Sequence, residues 1–255
     1  MAQRYRAGML LDRLFPRPGQ IEAGEALAHL DLGSRAPAGR PYVVLNMVAT
    51  LDGKAAVDGT TRGLGGEADR ELFHTLRTQA DAILVGAGTA REERYGRAVK
   101  DPQRRAQRER EGLDPEPIVV IVSSRLNLPP DLPLLQEKGA RVVIATAAGH
   151  ELEGVAADVT YTRSGDDLPM LLARLREDHG VRSVLCEGGP TLNAHLLAAG
   201  LVDELFMSID PLIVGGEQAL TIVGGRPLHQ PVKAELLSLL HGAEGLYGRW
   251  RLASA

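Results

Sequence analysis

One stretch limits the fold more than any other: Ser183-Val184-Leu185-Cys186-Glu187-Gly188-Gly189-Pro190-Thr191-Leu192. It reads as a buried strand, a glycine turn and the start of a helix. Gly188 and Gly189 carry no Cβ, so the backbone can turn sharply and approach a neighbour closely. Pro190 suits the first turn of a helix, where a missing N–H costs nothing. Thr191 to Leu197 then carries apolar residues at helical spacing. A glycine turn at a helix N-terminus aims free N–H groups and a positive dipole end at an anion, commonly a phosphate. The same stretch is equally read as an ordinary strand–turn–helix connection, so the rest of the chain must decide.

The pattern of the remaining chain predicts an α/β protein. Tyr42–Val48 is a near-continuous apolar run, the mark of a strand covered on both faces. Further strands are predicted at Ala82–Val85, Ile118–Val122, Arg141–Ala145, Asp158–Tyr161 and Asp203–Ile209. Helices are predicted at Glu67–Thr78, Pro129–Lys138 and Leu168–His179, the last closed by Gly180. Leu236–Leu240 and Tyr247–Leu252 read as a closing antiparallel pair. Alternating strands and helices give a three-layer αβα arrangement around a mainly parallel, mixed sheet. Residues 1–40 read as an N-terminal arm and linker, with a short helix over Ile21–Leu30, ahead of one domain spanning 41–255. From Asp101 to Gly112 the arginine-rich segment reads as a solvated loop or helix.

Composition narrows the functional classes. The 255 residues are 44% hydrophobic with a net charge of −4, which gives no electrostatic case for nucleic acid. A single cysteine excludes an internal disulfide and a Cys-rich zinc site, and the seven histidines show no metal-ligand spacing, so no metal is assigned. No apolar run matches a membrane span and Met1–Arg13 lacks a signal-peptide core, so the expected location is cytoplasmic.

In open α/β sheets ligands bind beyond the C-terminal ends of the strands. Here those ends are Thr50–Lys54, Gly86–Thr89, Ser123–Arg125 and Glu187–Thr191. Three blocks in this order, Val43 to Lys54, Ala82 to Thr89, and Glu187 to Leu192 followed by Gly200 to Leu205, resemble the reductase domain of riboflavin-biosynthesis deaminase/reductases. The resemblance covers about residues 41–250. It implies a dihydrofolate-reductase-like fold, a homodimer, and NADPH-dependent reduction of the ribosyl group of 5-amino-6-(5-phosphoribosylamino)uracil, or its 2,5-diamino analogue, to ribityl. The deaminase partner needs more than one cysteine, so a standalone reductase is implied. Rival readings are the same fold and cofactor acting on another pterin or pyrimidine such as dihydrofolate, and a non-catalytic NADP-binding protein.

Carried over by position, the resemblance implies cofactor contacts at Val48, Gly63, Gly86, Thr89, Glu93, Ser123, Ser124, Arg125, Gly188, Gly189, Pro190, Thr191 and Leu192. Gly63 stands where many members carry a larger side chain near the nicotinamide. Ser123, Ser124 and Arg125 fall where the adenosine 2′-phosphate is read. Thr61, Arg77, Arg97, Lys100 and Glu187 fall at substrate positions, with Arg77 able to pair with the sugar phosphate. Asp52, Lys54 and Glu187 are the catalytic candidates, Lys54 as a proton donor or oxygen-charge stabiliser. Each also has a structural reading: Asp52-Gly53 as a turn, Lys54 as a surface lysine, Arg77 as a helix C-cap, Ser123–Arg125 as a polar strand exit and Thr89 as an N-cap. Glu187 follows three apolar strand residues, where a carboxylate must be solvated or paired.

Overall fold

The computed structural model describes residues 9–57, 61, 63–216 and 220–253. Its elements are β1 (Leu10–Phe15), β2 (Gly19–Glu22), α1 (Ala23–Ala26), β3 (Tyr42–Thr50), α2 (Glu67–Gln79), β4 (Ala82–Gly86), α3 (Ala87–Glu92), α4 (Pro102–Arg110), β5 (Ile118–Val122), β6 (Arg141–Ala145), β7 (Asp158–Thr162), α5 (Leu168–His179), β8 (Ser183–Cys186), α6 (Pro190–Ala198), β9 (Glu204–Asp210), β10 (Ala234–Gly242) and β11 (Gly245–Leu252).

The strands form one sheet in the order β2-β1-β10-β11-β9-β3-β8-β4-β5-β6-β7. Strands β9 to β7 along that list run parallel, and β11, β10, β1 and β2 add an antiparallel wing. Alternation along each central strand feeds two cores. Ile83 and Val85 of β4 pack with Leu72 and Leu76 of α2, while Ala82 and Leu84 pack with Leu171, Leu175 and Leu196 of α5 and α6. Both faces of the parallel half are therefore covered, which explains its unbroken apolar runs. Among the described residues no helix is long and apolar enough to cross a membrane.

Three segments differ from the sequence reading. Residues 10–15 and 19–22, read as part of an arm, are strands: β1 pairs with β10, and Leu11, Leu27 and Leu32 are buried in the main core. Their signal is faint because the strands are short and carry Asp12 and Arg13. The predicted helix at 129–138 is instead a run of turns whose Leu132, Leu134 and Leu135 are buried; Pro133 would fall past the first turn, where its missing N–H and its ring break the hydrogen-bond ladder. The segment after Asp101 is a helix, capped by Asp101 onto the Gln103 N–H at 2.7 Å, but it is not simply solvated: Arg104 and Arg108 are buried.

Arg108 closes the end of α2. Its Nη1 donates to the carbonyls of Arg77, Thr78 and Ala80 at 2.9, 3.1 and 2.7 Å, and its Nε donates to the Asp114 carbonyl at 2.8 Å. Those are carbonyls a helix terminus leaves without internal partners. Burial lowers the guanidinium pKa to about 10, so the group stays charged at neutral pH. At the other flank of the parallel half, fully buried Glu204 is held by both Arg249 donors, by Arg35 and by the Tyr42 hydroxyl. We expect Arg108→Ala to lower stability by about 3 kcal/mol or more, since several buried carbonyls lose their donor at once. Urea denaturation checks this, and a loss under about 1 kcal/mol would show that the cap is dispensable.

Candidate functional site

Strand β8 is late in the chain but lies between β3 and β4. Two glycine turns thereby meet at one rim. The Gly86 N–H donates to the Gly188 carbonyl at 2.8 Å, and the Glu187 N–H donates to the Leu84 carbonyl at 2.9 Å. Gly188 has φ +86°, which glycine adopts without penalty, and the Gly188–Gly189 peptide is cis. A Cβ on Gly189 would stand 2.6 Å from the Thr89 hydroxyl. The space beside Thr89 is thus open because residue 189 has no side chain. Pro190 opens α6 and Leu192 packs beneath it, with Thr191 exposed. One strand further along, Ser123–Leu126 closes a turn through a 2.8 Å bond from the Leu126 N–H to the Ser123 carbonyl. Among the described residues the hydroxyls of Thr89, Ser123 and Ser124 have no protein partner.

The end of β3 is organised by Asp52. Its carboxylate accepts from the Thr50 hydroxyl at 2.5 Å and from the Gly215 and Val214 N–H groups at 2.7 and 3.3 Å. The Thr50 bond, then the Gly215 bond, hold the Asp52 pKa down to about 2. Asp52 is therefore an ionised pin for the 212–216 segment. The Lys54 N–H donates to the Thr50 hydroxyl at 3.0 Å, and Lys54 Nζ reaches the Gly216 carbonyl at 3.3 Å. Thr61 and Glu93, assigned to substrate and cofactor, bond each other at 2.8 Å. Gly63 is exposed with φ +95°. Val48 sits in register with Ser208 on β9.

Arg77 and Glu187 meet each other rather than a vacant groove. Arg77 Nε and Nη2 donate to the two Glu187 oxygens at 2.7 and 2.8 Å, and two further donors reach the Ala98 carbonyl and the Tyr95 hydroxyl, both at 3.0 Å. The guanidinium also stacks 4.2 Å from the Phe73 ring centroid. Four of its five N–H donors are thus engaged within the protein, which leaves little of Arg77 for a sugar phosphate. Both side chains are almost buried, at 12% and 6% exposed. Arg97 is corrected as well. It binds Glu116 and Glu137 at 3.0 and 2.6 Å, and Glu116 precedes β5, at the edge opposite the glycine rim. Lys100 is exposed just ahead of α4.

A group the sequence reading missed lies under the β3–α2 connection. Asp69, in the first turn of α2, accepts from the Ser208 hydroxyl at 2.5 Å. Asp210 accepts from the Gly65 N–H at 2.7 Å, and Glu244 accepts from the Ala68 N–H at 3.2 Å. Burial first, then the charges of Asp210 and Glu244, push the Asp69 pKa up, while the Ser208 bond opposes the shift. The only sequence signal was an acidic residue in a helix's first turn, where the dipole favours it. His74, on the same helix, is driven down to about 4 by burial and by the Arg77 charge.

The strand order, the two-sided helix cover and the antiparallel wing make this a dihydrofolate-reductase-like α/β protein. A pyrimidine reductase-like protein from Corynebacterium diphtheriae superposes with TM-score 0.70 at 22% identity, covering 92% of this chain and 100% of that one. The model of the RibD C-terminal domain matches residues 41–247, and the chain belongs to that family. It is 35% identical over 205 residues to a 2,5-diamino-6-ribosylamino-4(3H)-pyrimidinone 5′-phosphate reductase of Methanothermobacter thermautotrophicus, covering 78% of this chain and 91% of that protein. The protein of the same name from Archaeoglobus fulgidus is 30% identical over 202 residues, 77% of this chain and 92% of its own.

Removing one member of a nearly buried ion pair strands the other. Glu187→Ala is expected to lower stability by about 3 kcal/mol, measured by urea unfolding. An unchanged midpoint would show that Glu187 is not a structural partner of Arg77.

Proposed function

We propose that the protein uses NADPH to reduce the ribosyl group of a phosphorylated ribosylaminopyrimidine, 5-amino-6-(5-phosphoribosylamino)uracil or its 2,5-diamino analogue, to ribityl in riboflavin biosynthesis. The observation that carries this is the meeting of the Gly86 and Gly188–Gly189 turns beside unpartnered hydroxyls, in a chain whose archaeal relatives bear that reductase name. A dinucleotide fits this rim because the glycines leave room for phosphates and Thr89, Ser123 and Ser124 offer free donors. Thr89 and Gly188–Thr191 would hold the pyrophosphate, and Ser123–Arg125 the 2′-phosphate. When bound, the cofactor supplies the hydride.

The chain's own residues orient and protonate. The Arg77–Glu187 pair fixes the exit of β8, and Asp52 fixes the segment facing Lys54. Arg77 and Arg97 have other partners, so among the described residues Lys54 is the cation left at the end of β3 to meet the sugar oxygens. Its ammonium would donate the proton that accompanies ring opening. The reading places the protein beside the cytoplasmic NADPH pool.

The antiparallel wing supports a homodimer. On the face opposite α2, Met207, Ile209, Leu236, Leu239 and Trp250 share one side by register and are only half-buried, with Phe15 exposed beside them. A contiguous apolar face of this kind marks an interface, and a self-complementary twofold contact is the commonest solution.

Two outcomes test the reading. Loss of NADPH absorbance should require the ribosylaminopyrimidine phosphate and not occur with dihydrofolate, and Lys54→Met should lower kcat/KM by about 100-fold; a folded, NADPH-bound protein that turns over neither would contradict it. In sedimentation, the protein should run at about twice its 27.3 kDa chain mass, and Trp250→Glu should run as a monomer. A wild-type protein that stays monomeric at micromolar concentration rules the dimer out.

A further inference from the structure

Arg91 opens an arginine-rich segment after β4 in which most guanidinium groups have a carboxylate partner. Arg94, Arg97, Arg104 and Arg105 each lie within ion-pair distance of a carboxylate. Arg91 does not. It lies in the last turn of α3, and its Nη1 donates to the Asn127 carbonyl at 2.6 Å. That bond carries the guanidinium across from β4's exit to the turn after β5. A guanidinium has five N–H donors in a fixed fork, so most of its donors remain for another acceptor. Arg125, two residues before Asn127, is exposed and also has no carboxylate partner among the described residues. The free hydroxyls of Ser123 and Ser124 belong to the same turn.

Two unneutralised guanidinium groups and two free hydroxyls therefore gather around one five-residue turn. This is the chemistry that recognises a phosphate monoester, which carries nearly two negative charges and three acceptor oxygens. We propose that Arg91, with Arg125, clamps the 2′-phosphate of the cofactor and is the residue that selects NADPH over NADH. The inference rests on the reductase reading above but assigns a role to a side chain outside the resemblance. The substrate's own phosphate is the other source of the same chemistry, and geometry disfavours it. The order β3-β8-β4-β5 puts the Ser123 turn three strand spacings, about 14 Å, from the end of β3 where Lys54 stands. That exceeds the reach of a single ribose phosphate whose reacting carbon lies near Lys54, and it suits the far end of a dinucleotide.

The test is calorimetric titration of the wild-type protein, Arg91→Leu and Arg125→Ala with NADPH and with NADH, alongside KM for the phosphorylated substrate. Wild type should bind NADPH the more tightly. Each substitution should weaken NADPH binding by about 10- to 100-fold, the loss of one charge-assisted hydrogen bond, while NADH binding changes by less than about twofold. Thermal unfolding of each variant shows that it is folded. An unchanged NADPH-to-NADH ratio in Arg91→Leu would overturn the clamp, as would a rise confined to the substrate KM. A wild-type protein that binds neither dinucleotide would instead overturn the reductase reading itself, so the two failures are separable.

Discussion

The rim depends on a backbone-to-backbone hydrogen bond, Gly86 N–H to Gly188 O at 2.8 Å. It forms because β8 pairs with β4 and because the glycines at 86, 188 and 189 let the two turns approach. A Cβ at residue 189 would collide with the Thr89 hydroxyl at 2.6 Å, whereas one at 86 would make only ordinary contact with the Gly189 nitrogen at 3.5 Å. The site is therefore a consequence of topology. The crevice opens where a late strand is inserted between two early ones, the point at which open α/β sheets place ligands.

Around that contact, charged side chains serve mainly to hold the walls. The nearly buried Arg77–Glu187 pair ties β8's exit to α2 and to the loop through Tyr95 and Ala98. Asp52 ties the end of β3 to residues 214 and 215, and Asp210 and Glu244 hold the entry to α2. Each interaction joins segments far apart in sequence. Buried ion pairs add little net stability over apolar packing but are costly to break, which suits groups that must fix a geometry.

Most of the fold was legible in the sequence because the parallel half is two-sided: β3, β4, β5, β6 and β8 announce themselves as apolar runs ending in glycine or hydroxyl turns. The N-terminal hairpin was not legible, since Asp12 and Arg13 break the pattern and its partner β10 is over 200 residues away. The proline-entered helix at 129–138 failed because Pro133 falls past the first turn, where a helix needs the N–H that proline lacks. At the site, residue types in the sequence marked one rim but not their partners. Arg77 and Glu187 each look like a ligand-binding charge, and only their proximity, 110 residues apart, shows that they satisfy one another. Arg97 looked like its neighbours but turns to the opposite edge. Asp69 and Arg91 escaped notice because a first-turn acid and a helix-end arginine are commonplace.

A crystal structure of the protein with NADPH bound tests the central claim most directly. The account predicts the pyrophosphate between Thr89 and Gly189 and the nicotinamide toward Lys54. Density for the cofactor at the opposite edge of the sheet, or on the antiparallel wing, would contradict it.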